Sequence, residues 1–219
     1  MCGRYTLVKK AEDIEKRFHV QIEEDSVHPS YNAAPSQNLP VISNYNPTLA
    51  AYYKWGLIPF WAKDAAIGNK LINARAETLL EKPSFKKSLQ SKRCLVIADG
   101  FYEWQKNGKT KQPYRITLKD NGLFAFAGLW DEWKNEQGNK VRSFTIITTS
   151  PNSLMESIHD RMPVILKPED EKDWLGTNLR PEDALELLRP YNAKQMQAYQ
   201  VSKLVNSPAN NNPELIEHL

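Results

Sequence analysis

Cysteine is scarce in this 219-residue chain: only Cys2 and Cys94 are present. Two thiols cannot build a disulfide framework, so a reducing compartment is the better fit. Cys94 sits in the apolar run CLVIADG and reads as a small buried hydrophobe. The four histidines (His19, His28, His159, His218) and two cysteines lack the spacing of a zinc site, and neither a metal nor a cofactor is expected. No apolar run approaches the length of a membrane span, and residues 1–10 lack the apolar core of a secretory leader. A soluble, cytoplasmic protein is expected. Charge of one sign is also missing in bulk. The formal net charge is only +3, which permits a polyanionic partner without requiring one. Repeats and low-complexity linkers are absent, which leaves one large globular unit as the simplest organisation.

What remains is rich in short β-type runs. PVISNY, TLAAYYKWGLIP, CLVIADGFYEW, PYRITL, LFAFAGLWDEW, VRSFTIITTS, MPVIL and AYQVSKLV are bounded by turn residues, among them Asn107-Gly108 and Asn121-Gly122. Their close spacing predicts antiparallel meanders rather than a βαβ array. Helices are expected at 11–20, where Ala11, Ile14 and Phe18 share a face, and near 153–159, 168–175 and 181–190. HPSYNAAPSQNLP (28–40) carries three prolines and reads as an ordered loop. The fold class is α+β: a single domain on a strongly curved or barrel-like antiparallel sheet with short flanking helices.

The opening MCGRYTL places a thiol directly behind the initiator methionine. Removing Met1 would give Cys2 a free α-amine beside its thiol. With ordinary pKa values of about 7.7–8.0 and 8.5, both groups are partly nucleophilic near neutrality. An aldehyde can condense with the amine to an imine, and the thiol can then close on the same carbon as a five-membered thiazolidine. Holding both groups on adjacent carbons makes that second step intramolecular. Position alone also fits a small residue in a terminal segment.

Other stretches offer partners, each with a plainer alternative. In INARAET (72–78), Asn73, Arg75 and Glu77 alternate and share one side of an extended backbone, with Arg75 suited to a phosphate; a solvated strand or helix start fits as well. In DGFYEW (99–104), Glu103 lies between aromatics, where burial would raise its pKa, unless alternation turns it to water. In SIHDRMP, His159 suits acid–base work and Arg161 a phosphate, although a lone histidine is commonly structural. WGLIPFWAKD carries Trp61 on an expected loop, where it could stack on a base, and Trp55 as core.

MCGRY, YNAAPSQ, WGLIPFWAK, INARAET with EKPSF, RCLVIADGFYEW and IHDRMPVIL occur in this order, and together they resemble the SRAP-domain family of abasic-site processing proteins. The resemblance runs from residue 2 to about 207, leaving 208–219 as a C-terminal tail. It implies loss of Met1 and trapping of abasic sites in single-stranded DNA as a thiazolidine crosslink on Cys2, which shields the lesion. It further implies catalytic roles for Asn73, Glu103 and His159 and DNA contacts from Arg4, Asn32, Trp61, Arg75 and Arg161. Lyase and self-processing peptidase activities are implied as well. A monomer is expected because it suits a protein that must fit onto a single strand, as is association with the nucleoid when DNA is bound. Two other classes stay open: an N-terminal-nucleophile hydrolase such as a glutamine amidotransferase, and a non-catalytic single-strand-binding module. Arg4 stands where the former usually carries an aliphatic residue, and its downstream glycine-rich and His-Thr-Arg segments are not found.

Overall fold

A computed structural model describes residues 2–22 and 27–219. In chain order the first half contains β1 (Tyr5–Leu7), α1 (Ala11–Phe18), β2 (Ser30–Ala33), β3 (Asn38–Ser43), β4 (Ala50–Trp55), β5 (Asn73–Arg75), α2 (Pro83–Ser91), β6 (Arg93–Ala98) and β7 (Gly100–Asn107). The second half adds β8 (Thr110–Leu118), β9 (Phe124–Lys134), β10 (Lys140–Thr149), β11 (Met162–Pro163), α3 (Pro168–Leu175), α4 (Pro181–Glu186) and β12 (Met196–Gln200).

Two sheets form. One is antiparallel, in the order β12-β8-β7-β1-β2. In the other, β10, β4, β3, β6 and β9 pair in succession and β9 returns to β10, closing a ring, with β5 and β11 attached to β10. The expected barrel-like sheet is therefore present within a single domain. It is not antiparallel throughout, because β10 runs parallel to both β4 and β5. Closure removes the free edges that an open sheet of this size would expose. The core fills the ring and the space between the sheets with Trp55, Phe101, Phe124, Phe126 and Phe144, all buried.

Asp99 carries the chain from one sheet to the other. CLVIADGFYEW is not one strand but two, β6 in the ring and β7 in the antiparallel sheet. The Asp99 carboxylate accepts from Thr6 Oγ1 at 2.6 Å, Val8 N at 2.5 Å and Arg115 Nη2 at 3.1 Å. Gly100 follows because a Cβ there would stand 2.8 Å from Thr6 Oγ1 and 2.9 Å from Arg115 Nε.

Several local expectations change. The 28–40 stretch contains β2 and the start of β3, since prolines at 29, 35 and 40 leave enough donors for short ladders. Residues 153–158 form successive turns pinned by Asn152, whose Oδ1 accepts from the amides of Leu154 and Met155, rather than a helix. The strand at INARAET stops at Arg75, and Glu77 lies in the 3-10 turn Ala76–Thr78. Asn107-Gly108 begins the β7–β8 hairpin turn, whereas Asn121-Gly122 leads from one sheet into the other. The tail is packed: Leu215 is buried against Tyr102, Val201 and Val205. No helix among the described residues is long and apolar enough to cross a membrane.

Candidate active site

β1 and β7 pair antiparallel with Tyr5 opposite Phe101, and the Tyr102 amide donates to the Arg4 carbonyl at 3.0 Å. Continued past the end of β1, this register sets position 3 opposite Glu103. The chain thus delivers Cys2 to the neighbourhood of the Glu103 carboxylate. From the other sheet, β5 lies beside β10 and points Asn73 at the same end, where its Nδ2 donates to the Cys2 carbonyl at 2.8 Å. The loop after β10 brings His159, with Nε2 3.8 Å from Glu103 Oε2. Four residues spread over 158 positions of sequence therefore meet. Met1 and the expectation of its removal lie outside the described residues.

Cys2 is fully buried, and burial, followed by the nearby Glu103 charge, pushes its thiol well above the ordinary range. Glu103 is 2% exposed, so alternation does not turn it to water. Burial raises its pKa from 4.5 to about 7, which leaves it close to half-protonated at neutral pH. Such a carboxyl can accept or donate a proton with little cost either way.

Burial lowers the pKa of His159 below its usual value. Its Nδ1 lies 3.0 Å from the Arg161 amide and 2.9 Å from Asp160 Oδ1. These contacts favour opposite states, since the amide needs an unprotonated Nδ1 and the carboxylate a protonated one. The partly buried amide governs the neutral ring, because Asp160 is 89% exposed and its charge is screened by water. Nδ1 therefore accepts, and the proton sits on Nε2, facing Glu103.

Asn73 Oδ1 is buried without a hydrogen-bond partner among the described residues. An orphan acceptor of this kind is a place for a ligand donor. A cleft of about 360 Å3, lined by Trp104, Gln105, Lys106, Ser157, His159 and Asp160, touches the site through His159, while Cys2, Asn73 and Glu103 do not line it. A larger hollow of about 770 Å3 lies between α1 and α3 and includes none of the expected site residues.

The expected DNA contacts divide. Arg75 is exposed at the end of β5, and Trp61, 47% exposed, stands beside the similarly exposed Phe60. Arg4, Asn32 and Arg161 are engaged within the protein. Arg4 Nη1 donates to Asn32 Oδ1 at 2.8 Å and to the Val205 carbonyl at 2.9 Å. Asn32 is buried, and its Nδ2 lies 2.9–3.2 Å from the carbonyls of Val205, Ser207 and Asn210. These two side chains hold the C-terminal segment against the Cys2 end of β1 rather than reaching into solvent. Arg161 grips Glu77 through both terminal nitrogens at 2.6 and 2.9 Å. Sequence reasoning missed Trp104, whose Nε1 donates to Asn206 Oδ1 at 2.7 Å beside the cleft. Its place in DGFYEW next to Glu103 was the available signal. Among the described residues, no group of three or more His, Cys, Asp or Glu is placed to hold a metal ion.

A family model described as SOS response associated peptidase (SRAP) matches residues 1–208. The chain is 57% identical to the abasic site processing protein YoqW of Bacillus subtilis, over 99% of either chain. It is 33% identical to the abasic site processing protein HMCES of Xenopus tropicalis, over 98% of this chain and 77% of that one. A crystal structure of a protein from Bacteroides thetaiotaomicron superposes with a TM-score of 0.92 at 32% identity, covering both chains completely.

Proposed function

The chain belongs to the SRAP family, and from that premise we propose that it processes abasic sites in DNA by trapping them covalently on Cys2. The names of relatives at 57% and 33% identity support the lesion. The observation that carries the chemistry is the convergence of Cys2, Asn73, Glu103 and His159 at one end of two sheets.

The reaction starts when Met1 is removed, because an amide nitrogen is not a nucleophile and a free amine is. An abasic deoxyribose lacks the base edge that ordinary readout uses, but its ring-opened form carries an aldehyde. His159, with a proton on Nε2, is suited to protonate the ring oxygen as the sugar opens. The Cys2 amine adds to the aldehyde carbon, and loss of one water gives the imine. The thiol then adds across the C=N bond: sulfur bonds to carbon and the thiol proton passes to nitrogen. One water leaves in total, and no oxidant or reductant is consumed. Sulfur acts second because ring closure needs the imine carbon that the amine has made. Glu103, half-protonated near neutrality, moves protons in both stages. Asn73 holds the Cys2 carbonyl through Nδ2 and offers Oδ1 to a sugar hydroxyl or the attacking amine. Full burial of Cys2 favours a sugar without a base over an intact nucleotide.

Single-stranded DNA is the preferred substrate. Exposed Trp61 offers a ring face to unstacked bases, Phe60 beside it carries Lys87 Nζ 4.1 Å from its ring centroid, and Arg75 offers a charge to the backbone. The imine is also the intermediate from which a lyase would cleave the strand. The peptidase in the family description has a natural substrate here, the Met1–Cys2 bond that must break first.

The test is incubation with single-stranded DNA carrying one abasic site, followed by a denaturing gel. A heat-stable shifted band is expected, absent for Cys2→Ala and slower to form for Glu103→Gln. Undiminished crosslinking by Cys2→Ala would refute the mechanism.

A further inference from the structure

INARAET supplies Asn73 and Arg75 to this reading and leaves Glu77 without a role. Its carboxylate accepts from Arg161 Nη1 at 2.6 Å and Nη2 at 2.9 Å, while Nη2 also reaches the Thr148 carbonyl at 2.7 Å. Arg161 is 14% exposed and Glu77 is 52% exposed, so the carboxylate lies on the solvent side of the guanidinium. Two parallel N–H···O bonds to one planar fork are also the arrangement that two non-bridging phosphate oxygens adopt on an arginine. Glu77 thus covers the face of Arg161 through which an anion from solvent would have to approach.

We propose that Glu77 is an internal stand-in for a DNA phosphate, occupying the fork of Arg161 until a phosphodiester displaces it. The proposal rests on the reading of this chain as a DNA-binding protein. Arg161, expected from sequence to hold a phosphate, is then available only in exchange for Glu77. Arg75, exposed two residues before Glu77, supplies the cation beside which the released carboxylate can rest. The Arg161 hydrogen bond holds the Glu77 carboxyl below its ordinary range, so the exchange is a displacement of a charged group and not a protonation. The consequence is selectivity. Every strand, damaged or intact, must compete with Glu77, and non-covalent affinity stays low. Retention is left to the covalent step, which only a lesion can complete.

The experiment titrates an undamaged oligothymidylate against wild type, Glu77→Gln, Glu77→Ala and the double variant Glu77→Gln/Arg161→Gln, across a series of salt concentrations. Glu77→Gln and Glu77→Ala should each bind about three- to tenfold more tightly at low salt. One additional phosphate contact should also steepen the log–log salt dependence by about 0.7. The double variant should lose both gains. A gain that persists without Arg161 would mean simple repulsion of DNA by Glu77 and would overturn the proposal, as would unchanged or weaker binding by the single variants. Thermal melting of each variant identifies any that fail to fold. Trapping of an abasic strand by wild type is scored in parallel. If wild type traps but the single variants bind as it does, the Glu77 role alone fails. If wild type neither binds nor traps, the functional reading fails with it.

Discussion

Asp99 and Glu103 stand four residues apart in the same DGFYEW stretch, and each is 2% exposed. Asp99 is surrounded by donors from three segments: the Thr6 hydroxyl, the Val8 amide and the Arg115 guanidinium. Glu103 faces the His159 ring at 3.8 Å, beside a fully buried thiol, and burial dominates its protonation. Equal burial therefore supports two different uses. A carboxylate matched to fixed hydrogen-bond donors joins two sheets, whereas one whose charge is disfavoured by burial is ready to exchange a proton near pH 7. The position of a carboxylate in sequence indicates neither use; what packs around it does.

The sharpest way to break this contrast is Asp99→Ala. It leaves the Arg115 guanidinium buried without its partner, and loss of one member of such a pair costs about 3–5 kcal/mol. A large drop in urea midpoint and melting temperature is expected, with activity lost only through unfolding. Glu103→Gln should do the reverse: the fold survives, while crosslinking slows by about 100-fold, the lower end of general acid–base contributions.

The pH dependence of stability reports on Glu103. A carboxyl raised from 4.5 to about 7 is protonated in the folded chain while still ionised in the unfolded one. Its stabilising contribution is thus fully present below about pH 4.5, is lost as pH rises through about 7, and stays lost above. The shift corresponds to roughly 3 kcal/mol. Denaturation curves between pH 4.5 and 8 should show that decline in wild type and a flatter profile in Glu103→Gln. The smallest effect belongs to the periphery. Trp61→Ala should weaken single-strand binding by about tenfold, as loss of one base–aromatic stack does, while leaving the crosslinking rate at saturating DNA unchanged.

How much of this was legible in sequence follows from the range of the forces involved. The curved sheet was legible because alternation and turn residues are local. The parallel β10–β4 and β10–β5 pairings were not, since they join segments about ninety and seventy residues apart. Cys2, Asn73, Glu103 and His159 stood out by chemistry and motif order, but only the fold brings Asn73 Nδ2 to the Cys2 carbonyl. The internal engagement of Arg4 and Asn32 was not legible, because their partners, Val205 to Asn210, come from the far end of the chain. The end of the strand before Glu77 was not legible, because alternation continues in the letters beyond Arg75, where the backbone turns.

The central claim is that the bond to DNA is made by the amine and thiol of Cys2 after Met1 has gone. Mass spectrometry of the N-terminal peptide, recovered from protein reacted with abasic single-stranded DNA and digested, tests it directly. The account predicts a peptide beginning at Cys2 and carrying the sugar remnant with loss of one water. A sugar adduct on any other residue, or on a peptide that still begins with Met1, would contradict it.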